Sequence, residues 1–155
     1  MLDIISDDLK RLIVTRLKEI IADKKSMIKT EIESATNSRN NETKSSAGDK
    51  YETGRAMVQY ELEKAQVQLE KINELENELL RIDVSKKNNK VEYGSLVFTN
   101  DNKYFTSIGL GKIELNDEPV FCISLNSPIG NILQNKKAGE NVSFRGKEIT
   151  ITGIC

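Results

Sequence analysis

Between Val58 and Leu79, the residues Val58, Leu62, Ala65, Leu69, Ile72, Glu76 and Leu79 alternate in steps of four and three, with Leu75 beside them. That spacing holds one face of an α-helix apolar over several turns, with a single charged interruption at Glu76. An isolated helix cannot bury such a stripe, so the sequence demands a second helix. Residues 4–35 supply it. Leu9, Leu12, Ile13, Leu17, Ile20, Ile21, Met27, Ile28 and Ile32 recur at helical spacing with charges between them, and neither Gly nor Pro interrupts. Ser6 or Asp7 is placed to cap the start. Residues 36–50 contain one small apolar residue, Ala47, and cannot bury a face; they form a turn or solvated tip, part of it open to helix. Two helices of about 30 residues would each extend about 45 Å and, joined by such a tip, bury both stripes as an antiparallel hairpin.

The heptad is lost at Val84-Ser85-Lys86-Lys87-Asn88-Asn89-Lys90, a basic and polar stretch that reads as a linker. Beyond it the texture changes to β-branched and aromatic residues. Val91 to Thr99 and Lys103 to Ile108 flank Asn100-Asp101-Asn102 as a hairpin, Val120 to Leu125 is a third strand, and Val142–Phe144 with Glu148–Ile151 form another pair around Arg145-Gly146-Lys147. Ser127-Pro128-Ile129-Gly130-Asn131-Ile132-Leu133 reads as a short helix, with Ser127 as cap and Pro128 in its first position. The expected organisation is α+β: a coiled-coil hairpin over 1–83 with its tip near 36–52, a linker over 84–90, and a small β domain with one short helix over 91–155.

Charged residues make up 30% of the chain and hydrophobic ones 37%, which suits a partly exposed coiled coil. The net charge of −1 comes from interspersed acids and bases, so no basic stripe marks nucleic acid as the main partner. No apolar run approaches the length of a membrane helix, and the acidic opening Met1-Leu2-Asp3-Ile4-Ile5-Ser6-Asp7-Asp8 lacks the features of a signal peptide, so a cytoplasmic location is expected. The chain has no histidine, which removes His-based nucleophile schemes and His metal sites. Cys122 and Cys155 have no metal-ligand spacing; Cys122 lies in a strand pattern and is expected buried and inert, whereas Cys155 is a candidate exposed thiol.

Two motifs carry a resemblance. The stretch from Asn126 through Ser127-Pro128-Ile129-Gly130 to Asn135-Lys136-Lys137-Ala138-Gly139-Glu140-Asn141-Val142 resembles the C-terminal signature of the bacterial GreA/GreB transcript cleavage factors. That family has Ser-Pro-aliphatic-Gly at a helix start, then Gly-Lys-Lys-aliphatic-Gly-Asp turning into a strand. Here Asn135 stands for the Gly, the next best residue for a left-handed turn, and Glu140 stands for the Asp. The likeness covers roughly residues 91–154. At the hairpin, Gly48-Asp49-Lys50-Tyr51-Glu52 matches the family's Gly-Asp-x-x-Glu tip.

The resemblance implies an FKBP-like β-sheet domain that docks on bacterial RNA polymerase through Ser127, Pro128, Gly130, Asn131, Lys136, Lys137 and Gly139. It implies a hairpin that enters the polymerase secondary channel and brings Asp49 and Glu52 to the RNA 3′ end. There the two carboxylates would help hold a Mg²⁺ ion shared with the polymerase and promote cleavage of backtracked RNA. The factor would then be no enzyme alone, would need no cofactor or small-molecule ligand of its own, would not engage a membrane, and would act as a monomer. Lys44, Lys50 and Arg55 flank the pair as solvated charge or as contacts to RNA phosphates or polymerase acids, Tyr51 either stacks on a base or packs at the tip, and Gly54 is a candidate bend. Where the family continues Asn-Ala-Glu-Tyr, this chain has Thr53-Gly54-Arg55-Ala56. That difference keeps open a Gre-like regulator that fills the channel without stimulating cleavage. An FKBP-like prolyl isomerase and a coiled-coil adaptor with an unrelated partner stay open beside it. Against the isomerase, the β region is short, Trp is absent, and Tyr93, Phe98, Tyr104, Phe105, Phe121 and Phe144 are accounted for as sheet packing.

Overall fold

A computed structural model describes residues 2–42 and 48–155, with side chains described for residues 6–40 and 52–155. The chain is α+β: two N-terminal helices packed together, then a six-stranded mixed sheet with a short helix. It divides into two compact units, Glu19–Asn77 and a second one made from Met1–Lys18 with Glu78–Cys155.

The first unit is the helical hairpin. Helix α1 spans Leu2–Glu42 and α2 spans Gly48–Leu80. On α2, Leu62, Ala65 and Ile72 are buried and Val58, Leu69 and Glu76 half-buried, which is the expected seam. On α1, Ile21, Ile28 and Ala35 are buried, with Lys25 and Ile32 half-buried between them and Arg39 half-buried beyond. Lys25 pairs with Glu76, while Ala35 and Ala65 line one groove. Sequence number rises along α1 as it falls along α2, so the helices run antiparallel. Met27 and Leu12, counted in the expected stripe, are instead 65% and 47% exposed. Each residue turns the helix by about 100°, so Met27 lies well off the face that Ile28 buries. Helix α1 also continues through the polar residues 36–42, where no Gly or Pro stops it and Thr36 Oγ1 donates back to the Ile32 carbonyl at 2.7 Å. Gly54 lies inside the unbroken α2.

In the second unit the strands are β1 Leu96–Thr99, β2 Lys103–Thr106, β3 Gly111–Leu115, β4 Glu118–Ile123, β5 Asn141–Phe144 and β6 Lys147–Ile154, ordered β3-β4-β2-β1-β6-β5. All neighbours are antiparallel except β2 and β4. Strand β3 is an addition to the elements expected from sequence. Its five residues hold one buried side chain, Ile113, too few to stand out as a strand. The signal for it lies in the two-residue turn that follows, where Asn116 and Asp117 have φ of 52° and 65°, as a tight hairpin demands. Arg145 and Gly146, at φ 53° and 77°, make the equivalent turn between β5 and β6.

Helix α3, Pro128–Leu133, covers one face of this sheet through Leu133, in a cluster with Val91, Val97, Tyr104, Val142, Ile149 and Ile151. Strand alternation sends Leu96, Phe105 and Cys122 to the opposite face, where they are also buried. Ile13, Val14 and Leu17 of α1 are buried in the same unit. Among the described residues, no helix is long and apolar enough to cross a membrane.

Candidate functional site

The motif after β4 divides into residues that build it and residues it presents. Ser127 is the N-cap of α3: its Oγ accepts from the Gly130 amide at 3.1 Å and donates to the Ser124 carbonyl at 2.6 Å. Pro128 occupies the first turn, where its missing N–H costs nothing. Gly130 is required by space, because a Cβ there would lie 2.0 Å from the Ser124 carbonyl oxygen and 2.8 Å from Leu125 Cα. Asn135 takes the left-handed conformation at φ 65°, as expected for the residue standing where a Gly is preferred. Its amide donates to Val91 O, and the Val91 amide donates to Lys136 O, both at 2.8 Å. The chain entering the sheet region is thereby strapped to the turn after α3.

A second turn follows at Lys137-Ala138-Gly139-Glu140. Gly139 has φ 93°, the Glu140 amide donates to Lys137 O at 3.1 Å, and the Glu140 carboxylate accepts from the Lys137 amide at 2.5 Å. The Gly139 amide donates to Ile151 O at 2.7 Å and locks the turn to β6. An acid at position 140 thus closes the turn with its side chain. Ser127, Gly130, Asn135, Gly139 and Glu140 are occupied in shaping this edge. Pro128, Asn131, Gln134 and Lys137 are exposed on it, with Lys136 half-buried.

The other candidate lies at the opening of α2. Gly48 begins the helix and Glu52 lies in its second turn with an exposed side chain. Asp49 is helical, but its side chain lies outside the described residues, as do those of Glu42, Lys50 and Tyr51; Lys44 lies outside them entirely. Arg55 is exposed. An exposed glutamate supplies hard oxygen donors of the kind Mg²⁺ takes, but one carboxylate does not make a site. Among the described residues, no three His, Cys, Asp or Glu side chains cluster.

Two lysines stand out in the structure though sequence reasoning passed over them. Lys10 is fully buried and donates from Nζ to the Lys86 carbonyl at 2.9 Å, fixing the segment read as a linker to α1. Burial pushes its pKa down, and the nearby Cys155, Asp7 and Asp83 pull it back up. Within that segment Asn88 is buried and donates to Cys155 O at 3.2 Å. Lys25 occupies a seam position of α1 with Nζ 3.4 Å from Glu76 Oε2. The signal for Lys25 was present: it falls midway between Ile21 and Ile28, where the seam needs a residue. Cys122 is buried and its thiol is pushed up to about 12 by burial, which leaves it protonated and unreactive.

No protein-family model, curated protein or solved structure matches the chain.

Proposed function

We propose that the chain is a Gre-type elongation factor for bacterial RNA polymerase, whose β-rich unit is FKBP-like and docks on the enzyme while the hairpin enters its secondary channel. The observation that carries this reading is the opening of α2 at Gly48. The Gly-Asp-x-x-Glu motif therefore stands at the N-terminal end of α2, and Glu52 faces solvent. The 33 residues of α2 extend about 50 Å, enough to project a tip well away from its base. The exposed residues Pro128, Asn131 and Lys137, with half-buried Lys136, form the docking edge, held in shape by Ser127, Gly130 and Gly139.

In this reading Asp49 and Glu52 lend carboxylate oxygens to a Mg²⁺ whose other ligands belong to the polymerase. The ion supplies Lewis-acid stabilisation and activation of water for phosphodiester hydrolysis. Asp49 and Glu52 are three residues apart in the sequence, the spacing of neighbours on one side of a helix. The RNA 3′ end is met only within the polymerase complex. The chain therefore needs no cofactor of its own and acts as an accessory factor in the cytoplasm.

The test is cleavage of RNA in backtracked polymerase complexes. The chain should bind core polymerase and accelerate cleavage. Asp49→Asn and Glu52→Gln should each slow it by about 10–100-fold, the usual loss for a group that supports a metal. Polymerase binding should persist, and added Mg²⁺ should restore part of the rate. Failure to bind polymerase would overturn the reading. Wild-type cleavage rates in both variants would favour a second reading, a channel-filling regulator without cleavage activity, to which the departure at Thr53-Gly54-Arg55-Ala56 points.

A further inference from the structure

We infer that Lys25 and Glu76 are positioning residues that set the register of the hairpin, and with it the axial placement of the tip carboxylates; the second half of this inference rests on the Gre-type reading. Both residues occupy seam positions. Lys25 continues the series Ile21, Ile28, Ile32, Ala35 on α1, and Glu76 continues Leu62, Ala65, Leu69, Ile72 on α2. Their side chains keep 27% and 42% of their exposure and meet at 3.4 Å.

A half-buried ion pair is a poor source of stability. Desolvation offsets much of its attraction, and an apolar pair of similar volume often stabilises more. What such a pair provides is discrimination, because a charge in a coiled-coil seam is satisfied in one alignment alone. The rest of this seam discriminates weakly, since one aliphatic layer resembles the next. The Ala35–Ala65 layer is looser still, beside a groove of about 540 Å³. A slip of one layer in one direction sets Lys25 against Ile72; in the other it sets Glu76 against Ile28. Either way a charge loses its partner and faces an aliphatic side chain.

One layer is about 5 Å of helix rise. Mg²⁺ holds its oxygen ligands at about 2.0–2.1 Å and tolerates little deviation. A tip displaced by a layer therefore carries Asp49 and Glu52 out of ligand range although both residues are intact.

The experiment uses the full chain with Cys155→Ser and spin labels at Ser26→Cys and Gln59→Cys, exposed positions well apart along the hairpin axis. The distance between labels is measured by pulsed electron resonance, and cleavage stimulation on the same variants. With Lys25→Leu and Glu76→Leu together, thermal stability should rise or hold. The single distance should split or broaden by several ångströms, up to about 5 Å. Cleavage stimulation should fall at least about 10-fold, since an ångström of misplacement alone can cost about 100-fold. Unlike the loss in Glu52→Gln, this one should resist added Mg²⁺. The swapped pair, Lys25→Glu with Glu76→Lys, should restore the single distance and the activity. A single unchanged distance in the double-leucine variant overturns the inference. A split distance in a protein that never stimulates cleavage, even unaltered, leaves the register assignment standing and removes the Gre-type reading instead.

Discussion

In the hairpin of Glu19–Asn77, a residue's surroundings follow from its place in a seven-residue repeat; in the sheet-bearing unit they follow from partners tens of residues away. Ile72 is buried because it falls on the seam. Gly130 is confined because the carbonyl of Ser124 crosses over it, and Asn135 is bent because its amide must reach Val91. The first kind of environment is graded, so neighbouring layers can take up a local fault. The second is concentrated: a few crowded positions hold several elements at once.

The sharpest test of that contrast is Gly130→Ala. With 2.0 Å between the new Cβ and a backbone oxygen, α3 must move off the loop that caps it. A loss of about 3 kcal/mol or more is expected, as for severe overpacking. Denaturant titration should show the loss in the tertiary signal of the sheet unit while the helical signal of the hairpin persists. Equal loss of both signals would erase the distinction.

Ile72→Ala probes the other side. Removing a buried aliphatic from the seam should cost about 2 kcal/mol, the low end for such truncations because the site is two helices thick and open at its sides. The loss should appear in the helical transition. If it matches or exceeds that of Gly130→Ala, the graded picture of the hairpin is wrong.

A pH effect is expected in the sheet-bearing unit. Because burial holds the Lys10 pKa below 10.5, there is a window beneath 10.5 in which the unfolded chain still binds a proton that the folded chain has lost. Stability then rises with pH across that window. Asp7, Asp83, Lys86 and Cys155 surround the ammonium and set how wide it is. Lys10→Met abolishes this contribution. Subtracting its unfolding free energies, measured from neutral pH to 10.5, from those of the unaltered protein should leave a difference that increases with pH. A flat difference would remove Lys10 as its source.

The smallest effect is expected at Asn135→Gly. At φ 65° a glycine meets no Cβ penalty, so a gain of a few tenths of a kcal/mol is expected, read as a small upward shift of the denaturation midpoint. A loss would mean that the Asn135 side chain does more than tolerate the turn.

This contrast also explains what was legible in the residues. The α2 seam, the Ser127 cap with Pro128 behind it, and the left-handed Asn135 are each set by nearest neighbours along the chain, and all three were readable. The exposure of Leu12 and Met27 was not, because counting apolar residues at roughly helical spacing ignores which of them lie on the common face. Strand β3 escaped because an edge strand buries one side and this one had little to bury. Lys10 escaped because nothing local distinguishes a lysine that will be fully covered from one that remains in water; its cover arrives from residues 78–155. At the tip, the sequence placed Gly48, Asp49 and Glu52 at the start of the returning helix, and α2 opens at Gly48; the metal role proposed for the two acids would need further ligands from a partner, which no residue pattern in this chain displays.

The joining of Met1–Lys18 with Glu78–Cys155 in one compact unit bears on how the protein is made. Ribosomes deliver the chain from the N-terminus at about 5–20 residues per second. Ile13, Val14 and Leu17 therefore emerge several seconds before the residues that will bury them, whereas the Glu19–Asn77 hairpin can close as soon as α2 is out. During that interval the hairpin can be complete while the apolar side chains of Ile13, Val14 and Leu17 are still in water.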